Sequence, residues 1–252
     1  MTVTCVADET ATADTAEVIA LVVQGKTSAT TTVLPPRASY RARKAAGITV
    51  DCDLADWGDA DAVRLGAATP VAVKYAKHPY GGDADLSCEV RFAWNEEFLY
   101  VAAKVRDDCH VNPVRNPDVW KGDAIQFALR EGGPAERASD PAVLQEFAVG
   151  VDAAGAFVQT WNNQGQFSAL AKAASAKTDD TLVMEFAVPW KLLGLPTPQA
   201  GASYGVSFVV SDNDSPDIAI DKLMEMDGYL EWTPGIFYGK DPSRYACLLL
   251  TE

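Results

Sequence analysis

From Ile48 to the end of the chain, β-branched and aromatic residues come in short runs broken by Gly, Pro, Asn and Asp, and a 3.6-residue apolar period is scarce. Runs this short bury too little as isolated helices. They must pair edge to edge and close two faces over one core, which is the logic of an antiparallel sandwich. Strands are predicted near 48–51, 86–94, 98–106, 123–130, 143–151, 156–162, 181–188, 204–211 and 245–250. The stretch VRFAWNEEFLYVAAKV (90–105) carries a hairpin signature, two apolar runs flanking Asn95, Glu96 and Glu97. The one helical turn expected lies at 189–193, with Pro189 at its start where a missing N–H costs nothing. The fold class is therefore all-β: an antiparallel β-sandwich, jelly-roll-like, with about nine or more strands and minimal helix.

Composition excludes several function classes. The chain has 252 residues, is 48% hydrophobic and 22% charged, and has a mean hydropathy of -0.04, which is globular rather than low-complexity. Its net charge of -14 and pI near 4.5 repel phosphate backbones and anionic membranes, so no nucleic-acid partner is expected. No uninterrupted apolar stretch exceeds six residues, as at 18–23, far short of the roughly 20 residues that span a bilayer, so no membrane insertion is expected. The start, MTVTCVADET, lacks a basic and an apolar leader region. It reads as a cytosolic start or as a mature fragment given an initiating Met, and the second is preferred. Five cysteines (Cys5, Cys52, Cys88, Cys109, Cys247) without CxxC spacing argue against a zinc site or a thioredoxin motif. Four of them can pair, and a fully reduced set is an equal alternative.

Residues 1–47 stand apart, with a candidate strand at 17–24, a Thr-rich stretch, Pro35 and Pro36, and then Arg37, Arg41, Arg43 and Lys44. They read as a strand-bearing appendage and linker, or alternatively as an added edge strand, ahead of a domain covering 48–252.

Six blocks in order carry a family likeness: ITVDCDLADWGDA (48–60), FLYVAAKVRDDCHVNP (98–113), DVWKGDAIQFAL (118–129), LVMEFAVPWKLLG (182–194), YGVSFVVSDND (204–214) and WTPGIFYGKDPSRYACLLL (232–250). Over roughly 48–250 the chain resembles carbohydrate-binding module family 9, within the domon-like β-sandwiches. Cys52 departs from the pattern, because the family usually has Gly in the turn after the first strand. The resemblance implies a non-catalytic module of a larger secreted or surface protein, which grips the ends of β-linked plant-type glycans between two aromatic side chains. It also implies partners that are oligosaccharides or polysaccharides, and an extracellular or cell-surface location.

The chemistry of such a grip suits aromatic side chains. A pyranose packs its C–H faces on a ring while its hydroxyls need fixed donors and acceptors. The resemblance makes Trp120, in the Trp-Lys-Gly-Asp block, one wall; a loop Trp capping the core is the alternative. Gln126 takes the place where a family member carries Glu, and its amide both donates and accepts. The second wall is expected at Tyr238, with Phe237 beside it. Trp161 with Asn162, Asn163 and Gln164 forms a third cluster, whose plainer reading is a strand-end Trp backed by a polar turn.

Structural calcium is implied by the resemblance, and the acidic runs Asp51, Asp53, Asp56 and Asp212, Asn213, Asp214 offer oxygens, although neither has EF-hand spacing. Trp57, Trp94 and Trp190 read as packing residues. A haem-binding electron-transfer domain is the alternative function, with His78 or His110 and Met184, Met224 or Met226 as candidate ligands. A glycoside-active enzyme ranks third, since chance carboxylate pairs abound and no G-x-S-x-G, H-E-x-x-H or P-loop is present.

Overall fold

The predicted hairpin forms as β4 (Leu86–Trp94) and β5 (Phe98–Asp107), closed by Asn95, whose Oδ1 accepts from the backbone N–H groups of Glu97 and Phe98. In the computed structural model the described residues are 39–69, 72–75, 79–112, 115–132, 144–161, 164–195, 197–214, 226–233, 235–237 and 241–252. Around the hairpin lie β1 (Ser39–Lys44), β2 (Val63–Leu65), β3 (Ala72–Tyr75), β6 (Ala124–Glu131), β7 (Leu144–Asp152) and β8 (Gly155–Thr160). The chain continues through β9 (Lys172–Lys177), β10 (Thr181–Pro189), β11 (Ser203–Asp212), β12 (Gly228–Glu231) and β13 (Ala246–Thr251). Helix α1 (Gln164–Leu170) follows β8, and α2 (Trp190–Leu193) follows β10.

Hydrogen-bonded neighbours run β8-β7-β6-β11-β13-β1-β4-β5-β10-β9, with β2 on β4 and the pair β12-β3 on β11. The two ends of this path, β8 and β9, come into contact, so the ladder rolls nearly closed over one core. Phe92, Phe127, Phe147, Phe186 and Phe208 fill its centre with edge-on and tilted ring contacts. Trp57, Trp94 and Trp190 are buried, as expected of packing residues.

Ser39–Glu252 form one compact unit, and 39–47 lie within it rather than in a linker. β1 pairs in parallel with both β13 and β4, the two parallel ladders among the described residues. Its sequence SYRARK turns Tyr40 and Ala42 inward between outward basic residues, and two modest apolar side chains give little strand signal. The candidate strand at 17–24 lies outside the described residues.

No strand forms at 48–51, because the backbone donors there are taken by carboxylates. Glu185 Oε2 accepts from the N–H groups of Asp51 (2.9 Å) and Cys52, and Glu185 Oε1 from the Trp57 indole (2.5 Å). This clamp sets Cys52 at φ +69°, the left-handed conformation that glycine adopts most readily. The short strands β2, β3 and β12, the lysine-flanked edge strand β9 and the helix α1 had no clear sequence signal. The four cysteines among the described residues (Cys52, Cys88, Cys109, Cys247) are free thiols.

Candidate functional site

Strand alternation divides β6 cleanly. Ile125, Phe127 and Leu129 point into the main core, and Gln126, Ala128 and Arg130 take the other face. Register carries that outer face across the sheet to Glu146 and Ala148 of β7, Gln159 of β8, Ser207 and Val209 of β11, and Tyr229 and Glu231 of β12. Its polar groups are the amides of Gln126 and Gln159, the carboxylates of Glu146 and Glu231, the Ser207 hydroxyl and the Arg130 guanidinium. Gln126 is buried, and its Nε2 donates to Glu146 Oε2 over 3.0 Å.

Trp120 lies in a 3-10 turn (Val119–Lys121) just before β6, half-buried against a cluster of Ala128, Val209, Met226, Tyr229, Ile236 and Tyr245. It is thus over the face that holds Gln126. The turn is held from below by Asp123: its Oδ1 accepts from Asn213 N (2.7 Å), its Oδ2 from Val111 N, and its backbone N–H donates to Val111 O (2.9 Å). Gly122 sits so close to Val111 O that a Cβ there would lie 2.6 Å from it.

Trp161, 38% exposed, follows the end of β8, and its indole N–H donates to Pro117 O at 3.2 Å. Segment 115–120 therefore runs from beneath Trp161 to Trp120. Arg115 fastens that segment through a bidentate pair with Asp152 (2.9 and 2.8 Å) and by resting 4.4 Å over the Phe157 ring. Arg115 holds the Asp152 carboxyl below the usual aspartate range.

Phe237 packs on the same cluster as Trp120, its ring 5.0 Å from that of Tyr229. Its loop is anchored by Glu231 Oε1, which accepts from Gly235 N (3.0 Å) and Ile236 N (2.7 Å), and by Asp241 N donating to Gly235 O (2.9 Å). Gly235, at φ +137°, leaves no room for a Cβ beside Asp241 O. Tyr238, the expected second wall, and Asn162 lie outside the described residues. Burial, with Glu146, Glu231 and Asp241 nearby, raises the Tyr245 hydroxyl above its usual range. The sequence had not pointed to Glu146 or Gln159; strand parity at Gln126 was the available signal for both.

The family model for carbohydrate family 9 binding domain-like proteins matches residues 58–251. The chain belongs to carbohydrate-binding module family 9. Solved structures agree on the fold of this family 9 module. A family 9 carbohydrate-binding module from Caldicellulosiruptor kristjanssonii in complex with cellotriose superposes with a TM-score of 0.60 at 15% identity, covering 84% of this chain and 93% of that one. The same organism's module in complex with glucose gives 0.61 at 14% identity, covering 84% and 95%. A putative carbohydrate-binding protein from Bacteroides uniformis gives 0.54 at 13% identity, covering 85% and 99%. No curated protein matches the sequence.

The acidic runs expected to hold calcium divide in two. In the family 9 module, Asp51, Asp53 and Asp56 cap their own turn, accepting from Asp53 N, Ala55 N and Thr49 N. Asp212 and Asp214 instead converge with Asp85, their donor oxygens all within 4.8 Å of one another, while Asn213 spends its side chain on Lys121 O. Haem does not fit. His110 and Met184 do line one cavity, but its volume of about 10 Å³ holds one water-sized particle and no porphyrin. Met226 is buried apart from them, and His78 and Met224 lie outside the described residues. Among the described residues no helix is long and apolar enough to cross a membrane.

Proposed function

We propose that this family 9 module binds the ends of β-linked glucan chains without catalysis, on the face floored by Gln126, Glu146 and Gln159. The observation that carries the reading is the position of Trp120: half-buried on its own cluster, three residues from its Asp123 anchor, and over a sheet face that carries the amides of Gln126 and Gln159 and the carboxylate of Glu146. A pyranose ring stacks on such an indole, and its equatorial hydroxyls donate to Glu146 or exchange hydrogen bonds with the amides of Gln126 and Gln159. Phe237, with Tyr238 next to it, supplies the facing wall, and Trp161 extends the apolar rim. The relatives' complexes with cellotriose and glucose support a β-glucan or a terminal glucose as the ligand.

A site closed by facing aromatics accepts one or two terminal units, whereas an internal-chain binder needs a flat platform. Calorimetry with cellobiose and with its reduced alditol tests this. Cellobiose binds, and opening the terminal ring weakens binding by about tenfold or more, because the stacking ring is gone and buried polar partners are left unpaired. Equal affinity for the two overturns end recognition, and no binding of any β-linked oligosaccharide overturns the reading.

The extracellular location, and attachment to further domains of a larger protein, belong to the same proposal and are supported by family membership. Calcium fits the all-oxygen set of Asp85, Asp212 and Asp214, which lies where β11 ends and the Asp123 anchor begins. When bound it neutralises those carboxylates, and a chelator then lowers the melting temperature until calcium is restored.

A further inference from the structure

The loop leaving β5 and the turn entering β6 bring together a second group of donors, unlike the all-oxygen set beside it. Asp107, His110 and Asp123 hold their ligand atoms within 4.8 Å of one another. His110 Nδ1 is 3.6 Å from Asp107 Oδ2 and 3.6 Å from Asp123 Oδ2. Asp107 is only 6% exposed, and its Oδ2 has no hydrogen-bond partner among the described residues; its other oxygen accepts from Cys109 N at 2.8 Å. Ser211, 1% exposed, lines the same small cavity with a hydroxyl that likewise has no hydrogen-bond partner among the described residues. Among the described residues no lysine or arginine lines that cavity.

The imidazole is oriented for a metal. Its Nε2 lies 3.2 Å from Val151 O, and a carbonyl only accepts, so Nε2 carries the proton. In the neutral ring the Nδ1 lone pair then faces two carboxylates, an arrangement that repels unless a cation stands between them. A ligating histidine normally donates its far nitrogen's proton to a backbone carbonyl or to a carboxylate, which fixes the ring. The 3.6 Å separations are too long for charge-assisted hydrogen bonds, which run ~2.7–2.9 Å. Two donors each ~2.1 Å from one ion at an angle of ~110–120° stand ~3.4–3.6 Å apart.

We propose that Asp107 Oδ2, His110 Nδ1 and Asp123 Oδ2 form a divalent first-row transition-metal site, with Ser211 Oγ or water completing the coordination. One imidazole with two carboxylates suits Zn²⁺ or Mn²⁺, whereas Ca²⁺ takes six to eight oxygens in a more open shell. The ion ties the β5 exit to Asp123, and through it to the turn that carries Trp120. The site does not depend on the sugar-binding reading.

The test uses tag-free full-length protein stripped with chelator and titrated separately with Zn²⁺, Mn²⁺ and Ca²⁺ by calorimetry. One Zn²⁺ or Mn²⁺ per chain binds, and His110→Ala weakens that binding by about a hundredfold while leaving any Ca²⁺ binding unchanged. His78→Ala, at the chain's other histidine, has no effect. A His110→Ala variant that does not fold is replaced by the unmodified protein loaded with Co²⁺, where strong visible bands of a four- or five-coordinate nitrogen-containing site are expected. Transition-metal binding that His110→Ala leaves intact, failure of the stripped folded protein to bind Zn²⁺ or Mn²⁺, or only the pale spectrum of octahedral all-oxygen Co²⁺ each overturns the proposal.

Discussion

Gln126 Nε2 donates to Glu146 Oε2 across 3.0 Å, joining β6 to β7 on the face turned away from the main core. The resemblance placed a carboxylate-bearing relative at position 126, and the contact explains why an amide suits this chain: a second carboxylate would meet Glu146 directly. Gln126→Glu should cost about 1–3 kcal/mol at neutral pH, from lost donation and like-charge contact. Such a pair takes up a proton with a raised pKa, so the penalty grows as pH rises through that value and shrinks below it. Urea denaturation of both proteins at pH 7 and near pH 4.5 checks this, and a penalty independent of pH would show that the two carboxylates avoid one another.

Trp120→Ala should abolish oligosaccharide binding and also cost roughly 1–2 kcal/mol of stability, since the indole packs on the cluster that includes Met226, Tyr229 and Tyr245 rather than standing free in a loop. Trp161→Ala should weaken binding less and leave stability within about 0.5 kcal/mol. Affinity electrophoresis on a β-glucan gel beside urea titrations separates the two effects. Retained binding in Trp120→Ala would assign that side chain to packing alone.

Cys52→Gly should stabilise the protein by about 0.5–1 kcal/mol. Left-handed backbone costs a side chain ~1–2 kcal/mol, part of which the greater freedom of an unfolded glycine offsets. The change also gives up a 3.7 Å contact from Cys52 Sγ to Val183 O, a small loss. Chemical denaturation measures the difference, and a destabilised Cys52→Gly would mean that the thiol contact outweighs the backbone strain.

Asp152→Asn should flatten the acid limb of stability. Arg115 lowers the folded-state pKa of Asp152 below its ordinary 3.8, so the pair's stabilisation is fully present above about pH 4 and is lost as pH falls through the depressed folded value. The unmodified protein should be the more stable of the two at pH 6, by less than ~1 kcal/mol because solvent screens Arg115, and the gap should close toward pH 2. Melting curves across that range decide it; a constant gap would trace the effect to the amide substitution itself.

Local pattern determined much of this protein. The hairpin 86–107, the β6-β7-β8 meander, the helical turn after Pro189 and the burial of Trp57, Trp94 and Trp190 all follow from alternation, turn chemistry and aromatic size, which act within a few residues of sequence. The Cys52 departure was visible too, because a family position filled by glycine marks a backbone conformation. Tertiary structure decided what depends on partners far along the chain. Residues 48–51 were denied a ladder by Glu185, more than 130 residues away, and β1 became a strand because β13 and β4 flank it on both sides. The site divides in the same way. Trp120 and Gln126 stand close together in a recognisable block, but Glu146 and Gln159 join them only through strand register, and His110 meets Asp123 only where two loops pack. Carboxylates and imidazoles carry no periodicity of their own, so which of them converge is set by the fold that buries them.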